Sequence, residues 1–156
     1  MNVHFITLGK THENIWPVVE RYVPSHVIFF SSSNLKKETE TLVGKLKAIH
    51  GINAEIVFLR PFNNDSLQTM SEEIDNTYCR IINKYDGKGV DYYMGVTGGT
   101  NLMVLAAGLV AVKRGIRILY TMNPEYVESG GNATDPIIEV DPTQRLLALV
   151  NSRREG

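Results

Sequence analysis

Short runs of β-branched and aromatic residues alternate along the chain with longer stretches in which apolar positions recur every three or four residues. The first run, Val3 to Leu8, predicts a strand, and a helix is expected from Glu13 to Tyr22, with Thr11 as its cap and Pro17 near its first turn. His26 to Ser31 predicts a second strand around Val27-Ile28-Phe29-Phe30. Leu35, Leu42, Val43, Leu46 and Ile49 then share one helical face, with lysine and glutamate opposite. Ala54 to Leu59 predicts strand three, and Ser66 to Tyr85 an amphipathic helix closed by Asp86-Gly87-Lys88-Gly89. Val90 to Val96 predicts strand four, Asn101 to Arg114 a helix, and Ile116 to Thr121 strand five. Met122 to Asp135 is polar and contains Glu128-Ser129-Gly130-Gly131-Asn132, a loop or lid by its length. Pro136 to Val140 is expected to be an edge strand because it opens on proline. Alternation of this kind predicts an α/β domain with a mostly parallel sheet of about six strands.

Leu102 to Val112 has no charged side chain, but a membrane-spanning helix needs roughly 20 such residues, so this run predicts a deeply buried helix and no membrane segment. No signal peptide is read at Met1-Asn2-Val3-His4. The 156 residues suit one domain, and 16 Lys and Arg against 17 Asp and Glu leave a net charge of −1. That balance argues against wrapping long nucleic acid, which requires many phosphates to be neutralised. The single cysteine, Cys79, excludes an internal disulfide and a multi-cysteine zinc site, and is expected to be buried and inert. His4, His26 and His50 have no metal-ligand spacing, and neither a metal nor a cofactor is expected.

In open parallel sheets ligands bind beyond the carboxyl ends of the strands. Those ends here are Gly9-Lys10-Thr11-His12, Ser31-Ser32-Ser33-Asn34, Arg60-Pro61-Phe62-Asn63-Asn64, Thr97-Gly98-Gly99-Thr100-Asn101 and Met122-Asn123-Pro124-Glu125. The glycine pair is the sharpest signal. Gly98 and Gly99 let the backbone approach a ligand, Thr100 can cap the next helix, and that helix start favours phosphate. The same residues also make a plain strand-to-helix turn. No G-x-G-x-x-G follows the first strand and no acidic residue follows the second, which speaks against NAD. A P-loop pattern is absent too.

The run Gly95-Val96-Thr97-Gly98-Gly99-Thr100-Asn101-Leu102-Met103, feeding an apolar helix, resembles the second signature of the CRISPR-associated Rossmann fold (CARF) family. Thr7-Leu8-Gly9-Lys10-Thr11-His12-Glu13-Asn14 sits where that family has its first ligand loop, and the element order matches over roughly Met1 to Val140. Many members carry lysine where this chain has Asn101, so one cation is missing. The resemblance implies a Rossmann-like three-layer α/β sandwich over residues 1–143, with 144–156 a C-terminal helix or the stump of a linker. It implies a cytoplasmic, prokaryotic homodimer that binds a cyclic oligoadenylate, most simply cyclic tetra-adenylate, across its two-fold axis in type III CRISPR antiviral signalling. An effector would be fused to it, outside this chain, or be missing.

Ligand contacts are expected from Gly9, Lys10, Thr11, His12, Ser31, Ser33, Arg60, Thr97, Gly98, Gly99, Thr100, Asn101 and Asn123. Lys10 is either a phosphate contact or an ordinary exposed lysine, and Arg60 meets phosphate or adenine or forms a surface ion pair. Glu72, Glu73 and Asp75 read as a solvated helix face, and Trp16 as packing. Whether the chain is an enzyme is left open. The alternative to a sensor is a metal-independent ring nuclease that leaves a 2′,3′-cyclic phosphate, with Lys10, Thr11 and His12 as catalytic candidates.

Overall fold

The computed structural model describes residues 1–123 and 135–155, and the side chains of all but the last two of these. Most of the predicted loop, Glu128 to Asn132 included, lies outside the described residues. The strands are β1 (Asn2–Thr7), β2 (His26–Ser32), β3 (Asn53–Leu59), β4 (Asp91–Gly95), β5 (Arg117–Thr121) and β6 (Ile137–Val140). They form one sheet in the order β3-β2-β1-β4-β5-β6. All pairings are parallel except β5 with β6, so the proline-led strand is an antiparallel edge.

Helices α1 (Trp16–Tyr22) and α2 (Lys36–His50) cover one face, α3 (Ser66–Lys84) and α4 (Asn101–Arg114) the other, giving three layers. Strand alternation sends Val27 and Phe29 into the α1–α2 layer, and Ile28 and Phe30 into the α3–α4 layer. Both inner faces of β1 and β2 are therefore apolar, as a doubly covered parallel sheet requires. The chain crosses from the β3 edge to β4 by way of α3, so the connections diverge between β1 and β4. That divergence is the switch point at which such sheets bind ligands.

Four local expectations change. Helix α4 is not deeply buried throughout, because Leu102, Leu105, Leu109 and Val112 are exposed on one side of it. Glu13–Ile15 forms a 3-10 turn, and no side chain caps it, Thr11 included. Asp75 is no solvated carboxylate: it binds Lys113 Nζ at 2.6 Å and Arg114 Nε at 2.7 Å, tying α3 to α4. These cations, with Arg114's hydrogen bond foremost, hold its carboxyl down at about 2. Cys79 is half-buried, and Arg114 Nη2 donates to its sulfur at 3.3 Å. Trp16 packs as expected, in the core layer under α1 and α2.

The last helix, α5 (Pro142–Glu155), starts where Asp141 Oδ1 accepts from Thr143 N and Gln144 N at 3.0 and 3.2 Å. Pro142 is buried and Gly115 lies close to Thr143, but Thr143 to Arg153 are exposed. No helix of the described residues is long and apolar enough to cross a membrane.

Candidate functional site at the β1–β4 switch point

The two glycine loops continue the strands they follow. Leu8 N donates to Phe30 O at 2.8 Å, and Val96 N donates to Leu119 O at 3.0 Å. Thr7 Oγ1 donates to Gly95 O at 3.3 Å, and Thr97 Oγ1 accepts from Thr121 N at 2.7 Å. Both loops are thereby anchored to the sheet on either side of the switch point.

They also pack against each other backbone to backbone. A Cβ on Gly9 would stand 2.9 Å from Gly99 N, and one on Gly98 would stand 2.9 Å from Thr7 O and 3.1 Å from Gly9 N. The space that glycine leaves at Gly98 is thus filled by the neighbouring loop. Gly99 additionally has φ +93°, a conformation that disfavours any side chain. The glycines make a tight double loop, and its outer surface is what a ligand would meet.

Thr100 caps α4 as expected: its Oγ1 accepts from Met103 N at 3.2 Å. Val104 N returns to Thr100 O, which leaves the Asn101 and Leu102 N–H groups without an intrahelical partner. The positive end of the α4 dipole therefore opens beside Gly98 and Gly99.

Two concavities flank the double loop, and Gly9, Lys10 and Gly99 line both. The first, of about 350 Å³, adds Thr11, Glu13, Asn14, Thr97, Gly98 and Asn123. The second, of about 260 Å³, adds Ser32, Asn34, Phe62, Thr100 and Met103 among others. A crevice beneath the loops holds only about 20 Å³, room for a single water and no more. Anything larger than a water would have to lie over the loops rather than beneath them. Lys10 is exposed on this ridge, and Glu13 opposes it in the first concavity.

The expected site residues divide into two sets. Gly9, Lys10, Thr11, Thr97, Gly98, Gly99, Thr100 and Asn123 come together around the concavities. Ser31, Ser33, Arg60, His12 and Asn101 line neither. Ser31 is fully buried, with its hydroxyl bonded at 3.1 Å to Thr39 Oγ1 on α2. Thr39 itself donates to Leu35 O, so Ser31 is the donor to Thr39. Strand parity is the reason: Ser31 follows Phe29 into the α2 layer, and Ser32 follows Phe30 toward α4. Ser33 is exposed and opens a 3-10 turn. Arg60 lies on the far side of β3 in a groove with Phe58, Thr69 and Glu73. The His12 ring turns back on its own loop, with Nε2 3.1 Å from Gly9 O. Asn101 stands exposed at the first position of α4.

Sequence reading missed Ser32, Asn34, Phe62 and Glu13. Phe62 carried a signal: it is a large aromatic residue inside a polar strand-to-helix turn, and it is 74% exposed. Among the described residues no three of His, Cys, Asp and Glu gather as a metal site.

No protein-family model matches the chain, and no curated protein matches it in sequence. Solved structures do share its fold. Csm6 from Enterococcus italicus, bound to cyclic hexa-2'-fluoro-hexa-dAMP, superposes with a TM-score of 0.76 at 14% identity, over 98% of this chain and 45% of that one. Can2 from Sulfobacillus thermosulfidooxidans, in complex with cyclic tetra-adenylate, gives 0.60 at 18% identity, over 78% and 32%. Protein VC1899 from Vibrio cholerae gives 0.68 at 12% identity, over 90% and 35%. The chain spans less than half the length of each of these proteins. The Rossmann-like α/β fold expected from the sequence is borne out, and two proteins that share it hold cyclic adenine oligonucleotides.

Proposed function

We propose that this chain is a CARF-type sensor domain that binds a cyclic oligoadenylate as a homodimer in type III CRISPR signalling. The observation that carries the reading is the double glycine loop at the β1–β4 switch point, with Lys10 and the N-terminus of α4 facing the same ligand surface. The fold shared with the cyclic hexa-2'-fluoro-hexa-dAMP-bound and cyclic tetra-adenylate-bound proteins supports it. Sensing is favoured over ring cleavage by Asn101, which stands where many members of the family carry lysine, and by His12, whose Nε2 lies 3.1 Å from Gly9 O and which lines neither concavity.

Dimerisation has its own support. Leu102, Leu105, Leu109 and Val112 make an apolar stripe on α4, each 38–50% exposed, on the order of 300 Å² in all. Two copies of that stripe bury too little for a specific interface, which needs about 1,000 Å². Leu146, Leu147, Leu149 and Val150 of α5 supply about as much again. Leu146, Leu147 and Val150 lie on the helix face that continues Thr143, the residue beside Gly115 at the end of α4. A two-fold through α4 and α5 would bring two ligand loops together and offer a symmetric ring two copies of Lys10.

Calorimetric titration with cyclic tetra-adenylate in metal-free buffer tests the reading. One ring per two chains is expected, and Lys10→Ala should weaken binding at least tenfold, with a shallower salt dependence. Wild-type protein that binds neither cyclic tetra- nor hexa-adenylate refutes it. Heat that decays slowly after each injection, with a 2′,3′-cyclic phosphate product, would replace the sensor with the ring nuclease.

A further inference from the structure

The geometry points to an adenine-recognition subsite on the β2 side of the double loop, with Phe62 as stacking platform and Asn34 as base reader; this inference rests on the cyclic oligoadenylate reading. The second concavity has the chemistry of a base pocket more than of a phosphate cradle. Its cation, Lys10, lies on the ridge shared with the first concavity, while its outer wall is the phenyl ring of Phe62. That ring is 74% exposed, in a turn whose other residues, Arg60, Pro61, Asn63, Asn64 and Asp65, are polar or proline, and it faces the same space as Ser32, Asn34 and Met103. An aromatic face beside a phosphate contact is how single-stranded nucleic acids are held, because each base brings its own π-face.

Asn34 gives the pocket a preference among bases. Ser32 Oγ donates to Asn34 Oδ1. Oδ1 keeps a second lone pair, and Nδ2 keeps its two donors, so the exposed amide offers an acceptor and a donor side by side. The Hoogsteen edge of adenine offers the complement, the N6 amino donor and the N7 acceptor. Guanine offers O6 and N7, two acceptors, and leaves Asn34 Oδ1 facing an oxygen. Position follows from strand parity: Ser32 points toward α4 whereas Ser31 points toward α2, so the polar end of β2 enters the site through Ser32 and Asn34. Arg60, across β3, has no part in it.

The test uses cyclic tetra-adenylate and cyclic tetra-guanylate as probes, titrated into the full chain and its variants. Phe62→Ala removes two stacks from a ring held by two chains and should weaken cyclic tetra-adenylate binding at least about 30-fold, about fivefold or more for each stack, and Phe62→Trp should restore it to within about twofold of wild type. Asn34→Ala should reduce the preference for the adenine ring over the guanine ring at least about fivefold. Circular dichroism serves as the folding control, since Phe62 and Asn34 are both exposed. Wild-type binding that is unchanged by Phe62→Ala and by Asn34→Ala overturns the subsite and leaves the ligand reading standing. Wild-type protein that binds neither cyclic tetra- nor cyclic hexa-adenylate overturns the ligand reading, and the subsite with it.

Discussion

His4 lies in the middle of β1 with no exposed surface, and neither of its ring nitrogens has a hydrogen-bond partner among the described residues. It stacks on Tyr93 at 4.8 Å and meets the edge of Tyr22 at 5.4 Å. Burial alone lowers its pKa from 6.5 to about 4. Below pH 6.5 the unfolded chain therefore takes up a proton that the folded chain refuses until about pH 4. The associated stability is fully present above pH 6.5 and is lost as pH falls across that interval, by about 3 kcal/mol. That is a large share of the roughly 5–15 kcal/mol typical of a domain. Urea unfolding from pH 7 to pH 4 should show the midpoint fall by about 1.5 M, taking a slope of about 2 kcal/mol/M. His4→Phe keeps the ring stack, removes two unsatisfied nitrogens, and should flatten most of the decline. Some slope remains, because burial outweighs Glu55 at His26 and lowers that pKa too. Asp75 titrates below the window. Equal pH slopes for wild type and His4→Phe refute the reasoning.

Two glycine substitutions separate packing from ligand contact. Gly98→Ala places a Cβ 2.9 Å from Thr7 O, where only backbone can give way, and should cost about 1–3 kcal/mol in urea unfolding as well as ligand binding. Gly108→Ala meets nothing within 4 Å and should stabilise the isolated chain by about 0.5–1 kcal/mol. Because α4 is the proposed dimer face, the same change should loosen the dimer in sedimentation equilibrium, and a dimer of undiminished affinity would place Gly108 outside the interface.

The elements were legible because their signals are local. The bounds of α4 match the predicted helix, Asn101 to Arg114, residue for residue, and the strands shift by only one residue at their ends. Thr100 as a cap, the edge position of β6 and the switch-point loops all follow from chemistry a few residues long. Asp75 misled for the opposite reason: its partners, Lys113 and Arg114, are on another helix, and a carboxylate on an amphipathic helix carries no mark of them.

By itself the sequence determined the layered α/β architecture and the place of the two glycine loops at the strand ends, since periodicity and turn chemistry are written in neighbouring residues. Tertiary structure decided which side chains line the concavities beside those loops. Ser31 and Ser32 are adjacent and alike, yet strand parity buries one against Thr39 and turns the other to the site. It also decided that Gly9 and Gly98 face each other's loops, and that Phe62, two residues beyond Arg60, stands on the wall Arg60 does not reach. Such facts depend on the order in which strands lie side by side, and that order is set by the packing of the whole sheet rather than by any stretch of the chain.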